Sequence, residues 1–375
     1  MPDRKRLLTV ASFGADIAVF LTLLLAAGWG WFIALLVTEV LFWLIRLIWI
    51  SPPLLRFIIR RIIHMIPILI SVVAIGFLLI QLAPGDILAA FRLNPDVRPE
   101  TVERMERMFG LNKPWYVQFF KYIWNALHGE FGFSQTYKAP VFTLVNQRAG
   151  NTLILAFASL LMAWGFSIPA GIVSATHQYR WQDQILSVLA FVGLSIPNFF
   201  LGFLLIYLIT NTGGWLPIGG MWSINSSEMN VLQKAVDLLK HLIVPTIVLA
   251  TAAMAQLTRL MRANMLEIMG QQYVTTARAK GLRERIVINR HALRNAINPM
   301  ITIFGFQLGF LLSGAALTET VLAWPGLGKL VLQATISQDL YLVVGSLTYT
   351  VILIVVGNLI ADVLLALIDP RVRMR

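Results

Sequence analysis

Runs of about twenty apolar residues recur along the chain, parted by short polar breaks. Each is long enough to cross ~30 Å of hydrocarbon as a helix. Eight runs are legible, at 13–28, 31–50, 57–82, 152–175, 184–210, 241–263, 296–317 and 342–367. Only Gly28-Trp29-Gly30 separates the first two. A single helix from Val10 to Ile50 would be about 60 Å long, twice the bilayer core, so the pattern predicts a hairpin there. The short alternating segments of a membrane β-barrel do not occur. The expected fold is an all-α polytopic membrane protein of about eight spans.

Composition agrees. Apolar residues make up 58% of the 375 positions and charged residues 13%, against about a quarter charged in soluble domains. The formal net charge is +12, which in a membrane protein asks first which loops carry it. With the N-terminus placed in the cytoplasm, inner segments hold Arg4, Lys5 and Arg6, then Arg46, Arg56, Arg60 and Arg61. Arg180, the cluster from Arg259 to Arg294, and Arg371, Arg373 and Arg375 follow on the same side. That is the larger share of the 30 lysines and arginines, so both termini are expected in the cytoplasm. Arg4-Lys5-Arg6 before an apolar run also fits a signal peptide, but the sequence stays apolar through Trp31 to Ile50, which favours a retained anchor. Cysteine is absent, so there are no disulfides and no thiolate metal ligands.

Four regions are expected: an N-terminal transmembrane hairpin over 1–52, a first core span with an external segment over 53–147, a transmembrane domain over 148–368 carrying a cytoplasmic loop at 265–295, and a tail over 369–375. The external segment opens on the turn Pro84-Gly85-Asp86. PETVERMERMFG follows, with Pro99 at a first helical position and Val102, Met105 and Phe109 at helical spacing, which reads as a small surface helix.

Self-contained catalysis has no support. WPGLGKLVL has a faint look of a phosphate loop, but Ala323 and Leu330 stand where a Walker A loop needs glycine and a hydroxyl residue. His64, His128, His177, His241 and His291 are scattered without metal-ligand spacing. Few carboxylates fall within the spans, namely Asp16, Glu39, Glu319 and Asp362. The chain is expected to be a non-enzyme that binds neither metal nor cofactor itself.

The polar exception is QQYVTTARAKGLRERIVINRHALRNAINP, Gln271 to Pro299. Tyr273 to Lys280 reads as helix and Gly281 as a left-handed stop. Helix formers resume from Arg283 and run to Ala296, before Pro299. Two short helices meeting at a glycine are more than a connector needs. A basic corner of this kind can lie on anionic headgroups or dock as a knob in a partner protein. Apolar Ala277, Ala279, Leu282 and Ile286 at the turn suit a socketed knob. Polar residues inside spans are candidates for a translocation path or gate: Asn198, Asn298, Gln307, Asn358 and Asp362, with Glu319 near the outer mouth. Helix–helix hydrogen bonding is the competing reading for each.

YVTTARAKGLRERIVINRHALRNAINP resembles the EAA loop of ABC importer permeases, in particular the dipeptide/oligopeptide-type "B" subunits. RFIIRRIIHMIPILISVVAIGFLLIQLAPGD (Arg56 to Asp86), LTETVLAWPGLGKLVLQAT (Leu317 to Thr335) and ADVLLALIDPRVR (Ala361 to Arg373) resemble the family's opening span, outer segment and C-terminal signature, in the same order. The acidic residue that names the motif is Thr275 here, and Arg294 stands where the trailing element has proline. The first 52 residues lie outside the resemblance.

The resemblance implies a six-span type I importer permease core behind the extra hairpin, in a bacterial inner membrane. It implies that Ala277, Lys280, Gly281, Leu282 and Arg283 form the element that couples to an ATPase. The implied partners are a homologous second permease, two cytoplasmic ATPases that hold ATP and Mg, an extracytoplasmic substrate-binding protein and membrane lipid, but no nucleic acid. The implied cargo is di- or oligopeptide, with nickel or another small solute as the alternative. A stand-alone secondary transporter would need coupling-ion carboxylates or inverted repeats, and the third reading is a membrane scaffold.

Overall fold

A computed structural model describes residues 52–82, 98–100, 103, 113–312 and 316–368. The hairpin expected over 13–28 and 31–50, most of the segment from 83 to 112 and the tail from 369 lie outside the described residues.

The described chain is helical, with one minimal two-stranded antiparallel sheet. Hydrocarbon offers the backbone no hydrogen-bond partners, so each crossing segment must satisfy its own N–H and C=O groups, as a helix does. Helix α1 (Pro52–Leu82) starts on two prolines, whose fixed φ suits a first turn. Helix α2 (Trp115–Leu127) precedes the hairpin of β1 (Phe133–Ser134) and β2 (Ala139–Pro140). Then come α3 (Val141–Thr176), α4 (Trp181–Ser195), α5 (Asn198–Asn211) and α6 (Val231–Met269). Among the described residues four segments are long and apolar enough to cross a membrane: Phe57–Leu78, Val141–Thr176, Val231–Met269 and Leu340–Val363.

Three predicted spans change shape. The run at 152–175 becomes the 36-residue α3, which starts directly after Pro140. Its first turns bury Val141, Val145 and Ala149 against Leu327, Leu330 and Leu342. The run at 241–263 becomes the 39-residue α6. Its start is moved forward by a capping box, in which Asn230 Oδ1 accepts from Gln233 N and Gln233 Oε1 accepts from Asn230 N. The run at 184–210 is broken into α4 and α5, bent by 105°. Pro197 explains the break, because the residue before proline is driven from helical to extended backbone, and Ile196 sits at φ −88°, ψ 121°.

Helices α3 and α6 run parallel and form the centre. Leu155 meets Leu242 and Leu249 at one end. Ser167 Oγ donates to Met254 O at 3.1 Å midway. Near the other end, Ala163, Ala175, Leu257, Met261 and Met265 pack together. The backbones come close at Gly171, where an added Cβ would stand 2.5 Å from Met261 Cβ. Helix α4 returns alongside, its Gly193 against Thr251 and Ala255 of α6. Helices α10 (Asn298–Leu312) and α13 (Leu340–Ile368) close the bundle. Ile58 of α1 packs on Val363 of α13, while Val73 and Phe77 pack near Val344. These two helices are therefore antiparallel.

Gly171→Val is expected to cost about 1–3 kcal/mol through overpacking, read as a lowered midpoint of thermal unfolding in detergent. Gly165→Val, where no atom lies within 4 Å of the added Cβ, is expected to leave the midpoint unchanged.

Candidate functional site: a basic corner at one end of the bundle

The chain leaves α6 at Gly270 and turns into α7 (Gln272–Ala279). Lys280 ends that helix, and Gly281 adopts φ +74° with open space where a Cβ would lie. Gly281 N donates to Arg278 O at 2.9 Å and Leu282 N to Ala277 O at 3.4 Å, so the left-handed residue satisfies carbonyls that the helix end would orphan. A second limb follows as α8 (Glu284–Ile286), a wider π-type turn over Val287–Ala292 and α9 (Leu293–Ala296).

The two limbs fold on each other around a small apolar plug of Val274, Ala277 and Val287, with Ile268 of α6 against it. Asn295 Nδ2 donates to Tyr273 Oη at 2.9 Å, joining the limbs again. The seat on the bundle is as close. Ala292, Ala296 and Met300 are buried with Met261 and Met265, and Asn264 Nδ2 of α6 donates to Ala296 O at 3.0 Å.

Charge closes the tip. Arg278 Nη2 and Glu284 Oε1 are 2.7 Å apart across the turn, and Arg278 Nε reaches both carboxylate oxygens at 3.3 and 3.2 Å. The guanidinium holds the Glu284 carboxyl below its ordinary value, and the carboxylate raises that of Arg278. Both side chains are more than a third exposed, so solvent screening keeps this pair modest.

Of the five residues expected at the tip, Lys280, Gly281, Leu282 and Arg283 are exposed together. Ala277 is buried in the plug instead, where it holds the limbs together. Leu282 is 40% exposed and Ile286 41%, a small apolar knob among cations. Thr275 and Arg294, where the sequence departs from the family pattern, are both exposed.

One joint beneath the corner escapes the sequence reading. Arg262 of α6 grips Asp183 of α4 with two bonds, Nε to Oδ1 at 2.7 Å and Nη2 to Oδ2 at 2.8 Å. Ser174 Oγ of α3 and Tyr179 N donate to the same carboxylate. Three helices thus meet on one ion pair at the end that carries the corner. Asp183 lies next to an apolar run, with no local motif to mark it.

The polar candidates do not converge on one path. Trp164 Nε1 of α3 donates to Gln307 Oε1 of α10 at 3.0 Å, and Gln307 Nε2 is buried without a partner. Asn198 starts α5 at the bend and is half-buried. Asp362 pairs with Arg61 of α1, Oδ2 to Nε 3.3 Å, one turn beyond half-buried Asn358. Asn298 and Pro299 are exposed where the corner passes into α10.

Glu319 lies at the opposite end and is 1% exposed. It sits on α11 (Ala316–Val321) and accepts from Thr152 Oγ1 at 3.1 Å and from Lys329 N at 2.9 Å, in the first turn of α12 (Leu327–Ile336). A Cβ at Gly326 would overlap its carboxylate. Asn151 Nδ2 donates to Pro325 O at 2.8 Å, and Trp324 Nε1 to Asn151 O at 3.1 Å. Glu319 is a staple between α3 and the 323–329 turn. Among the described residues no group of three or more His, Asp or Glu is placed to hold a metal ion.

Comparison with known proteins gives the family. Residues 167–374 match the model of the binding-protein-dependent transport system inner membrane component, and residues 54–156 match the N-terminal model of such membrane components. The oligopeptide transport system permease AppB of Bacillus subtilis is 41% identical over 317 residues, covering 84% of this chain and 98% of AppB. The glutathione transport system permease GsiC of Escherichia coli K12 is 34% identical, covering 86% of this chain and all of GsiC. The dipeptide transport system permease DppB of the same strain is also 34% identical, covering 85% and 99%. The chain belongs to this family: it is a helical membrane permease subunit of the ABC importer class.

Glu319→Ala strands Thr152 Oγ1 and Lys329 N without an acceptor and is expected to cost about 1–3 kcal/mol, read as an earlier thermal transition. For the Arg278–Glu284 clasp the depressed carboxyl fixes the sign. Its stabilisation is present at neutral pH and is lost as pH falls through the folded-state value of Glu284. A nitroxide on Leu282→Cys is expected to become more mobile on that acidification, and to be mobile at every pH beside Glu284→Gln. Identical spectra in the two backgrounds would contradict the clasp.

Proposed function

We propose that the chain is the transmission half of an ATP-driven importer of short peptides, and that the basic corner is its coupling element. In this reading the corner faces the cytoplasm, with both termini on the same side. Two ATPase subunits carrying ATP and Mg supply the energy, a homologous second permease completes the pathway, and an extracytoplasmic binding protein delivers the cargo. The observation that carries the reading is mechanical. Leu282 is presented at a left-handed glycine between Lys280 and Arg283, while its base is fixed to α6 through Asn264, Met261 and Met265.

A push on a rigid corner is delivered to α6. The close seat of α6 on α3, and the Arg262–Asp183 joint to α4, carry that displacement into the bundle as a rigid-body tilt. Leu282 fills a groove of the ATPase, and the flanking cations orient it by charge. The same cations lie close to anionic headgroups, which adds to docking rather than competing with it. Peptide cargo is supported by the names of AppB and DppB, and glutathione transport by GsiC adds a third peptide-like solute. Import of nickel or another small solute by the same machinery remains the alternative for cargo alone. The chain takes no catalytic role in this reading.

The bend at Ile196–Pro197 and the half-buried Asn198 lie at a hinge where two short helices can reorient. The Trp164–Gln307 bond instead reads as α3–α10 adhesion, with the Gln307 amide NH2 left without a partner inside the bundle.

Leu282→Asp removes the apolar tip from an exposed position and is expected to reduce ATP-dependent peptide uptake by at least about tenfold, as loss of one interface anchor does. The variant should still insert, and the ATPase should no longer co-purify. Gly281→Glu is expected to give the same loss through backbone strain. If both variants take up peptide and retain the ATPase, the coupling assignment fails.

A further inference from the structure

Helix α2 has three faces rather than two. At 100° per residue, Phe119, Tyr122, Ile123 and Ala126 fall on one side, and this side packs on the bundle: Phe77 of α1 meets Phe119 and Tyr122 at ring centroid distances of 6.0 and 6.2 Å. Tyr122 Oη lies 3.3 Å from Thr348 Oγ1 of α13. A second arc holds Gln118, Lys121 and Asn125. The third holds Tyr116, Phe120, Trp124 and Leu127, which are 51, 67, 65 and 75% exposed. Four large apolar side chains in one line, beside a polar arc, are not a water-facing surface.

We infer that this third arc is seated in lipid, making α2 an interfacial helix at the end of the bundle opposite the basic corner. The depth of α2 argues for lipid over a soluble partner. It touches α1 at Phe77, close to where that span's apolar window ends at Leu78. On α13 it touches Val344 and Thr348, about 6 and 12 Å inside the helix's first residue. That is the level of the headgroup–acyl boundary, where interfacial helices bury their apolar side and where Trp and Tyr are enriched. The arc is also similar in character to α1, whose Ile59, Ile62, Ile63, Ile66 and Ile70 are exposed in one row. Lys121, exposed on the adjacent polar arc, falls on the headgroup and water side of the helix in this placement. With one side on two spans and another in lipid, α2 fixes the level of α1 and α13 against the membrane while α6 is tilted from the far end.

The absence of cysteine makes the test direct. The full-length chain in phosphatidylcholine–phosphatidylglycerol nanodiscs would carry single nitroxides on Phe120→Cys, Trp124→Cys, Lys121→Cys or Asn125→Cys. Power saturation then compares collisions with lipid-soluble oxygen and water-soluble nickel chelate. The expected result is oxygen contact several-fold above nickel contact at 120 and 124, and the reverse at 121 and 125. Equal nickel contact at all four positions would overturn the inference by placing the arc in water. Protection of 120 and 124 from both reagents would overturn it in favour of a protein partner. Phe120→Leu, which keeps an apolar side chain, should leave the Trp124→Cys label oxygen-accessible, and its loss there would also count against lipid seating.

Discussion

The close parallel seat of α6 on α3 is the constraint on which the rest of the structure depends. It is a long contact between two helices of 36 and 39 residues, narrow enough at Gly171 to exclude a Cβ. Ser167 bridges the backbones midway, and methionines fill the end nearest the corner. Interiors packed at this density transmit displacement rather than absorb it. The corner is built onto this seat: its loop is plugged by Val274, Ala277 and Val287 and tied to α6 through Asn264.

The opposite end is held by different physics. Thr152, Glu319, Asn151, Trp324 and the start of α12 form a buried polar staple. Ser134 Oγ and Thr136 N both donate to Asp339, which also accepts from Leu342 N at the start of α13. Buried polar groups are costly unless every member is satisfied, so these bonds set a definite geometry where the chain has short turns instead of long helices. In the proposed function, a bundle anchored by polar staples at one end is driven from the corner at the other. Pro197 and its 105° break interrupt the helical run between Trp181 and Asn211.

Much of this was legible in the sequence. Apolar runs of span length located α1, α3, α6 and α13, because the bilayer demands long self-satisfied helices and leaves a strong signal. Gly281 announced the corner, because few other residues accept a left-handed stop between two helix-forming stretches. The true lengths of α3 and α6 were not legible. Their ends extend through polar sequence that is fixed by tertiary burial and by the Asn230 capping box rather than by hydropathy. Ala277 illustrates the limit within the site: apolar and next to the tip, it reads as part of the knob, yet the phase of α7 turns it inward. Asp183 and Arg262 are 79 positions apart, so no local pattern joins them. Asp362 is matched by Arg61 of α1, a residue far earlier in the chain, so no local pattern joins that pair either. The aromatic arc of α2 was equally silent, because it becomes visible only when the packed face has been subtracted.

The central claim is that the tip at Leu282 touches a nucleotide-hydrolysing partner and reports its state. The chain has no cysteine, so Leu282→Cys gives a single attachment point for a short bifunctional crosslinker in the assembled transporter. The account predicts a crosslink to the ATPase subunit whose yield changes between the nucleotide-free and ATP-bound states. Labelling of the same cysteine by a membrane-impermeant reagent applied from outside the cell, or its failure to reach any ATPase in either state, would contradict the account.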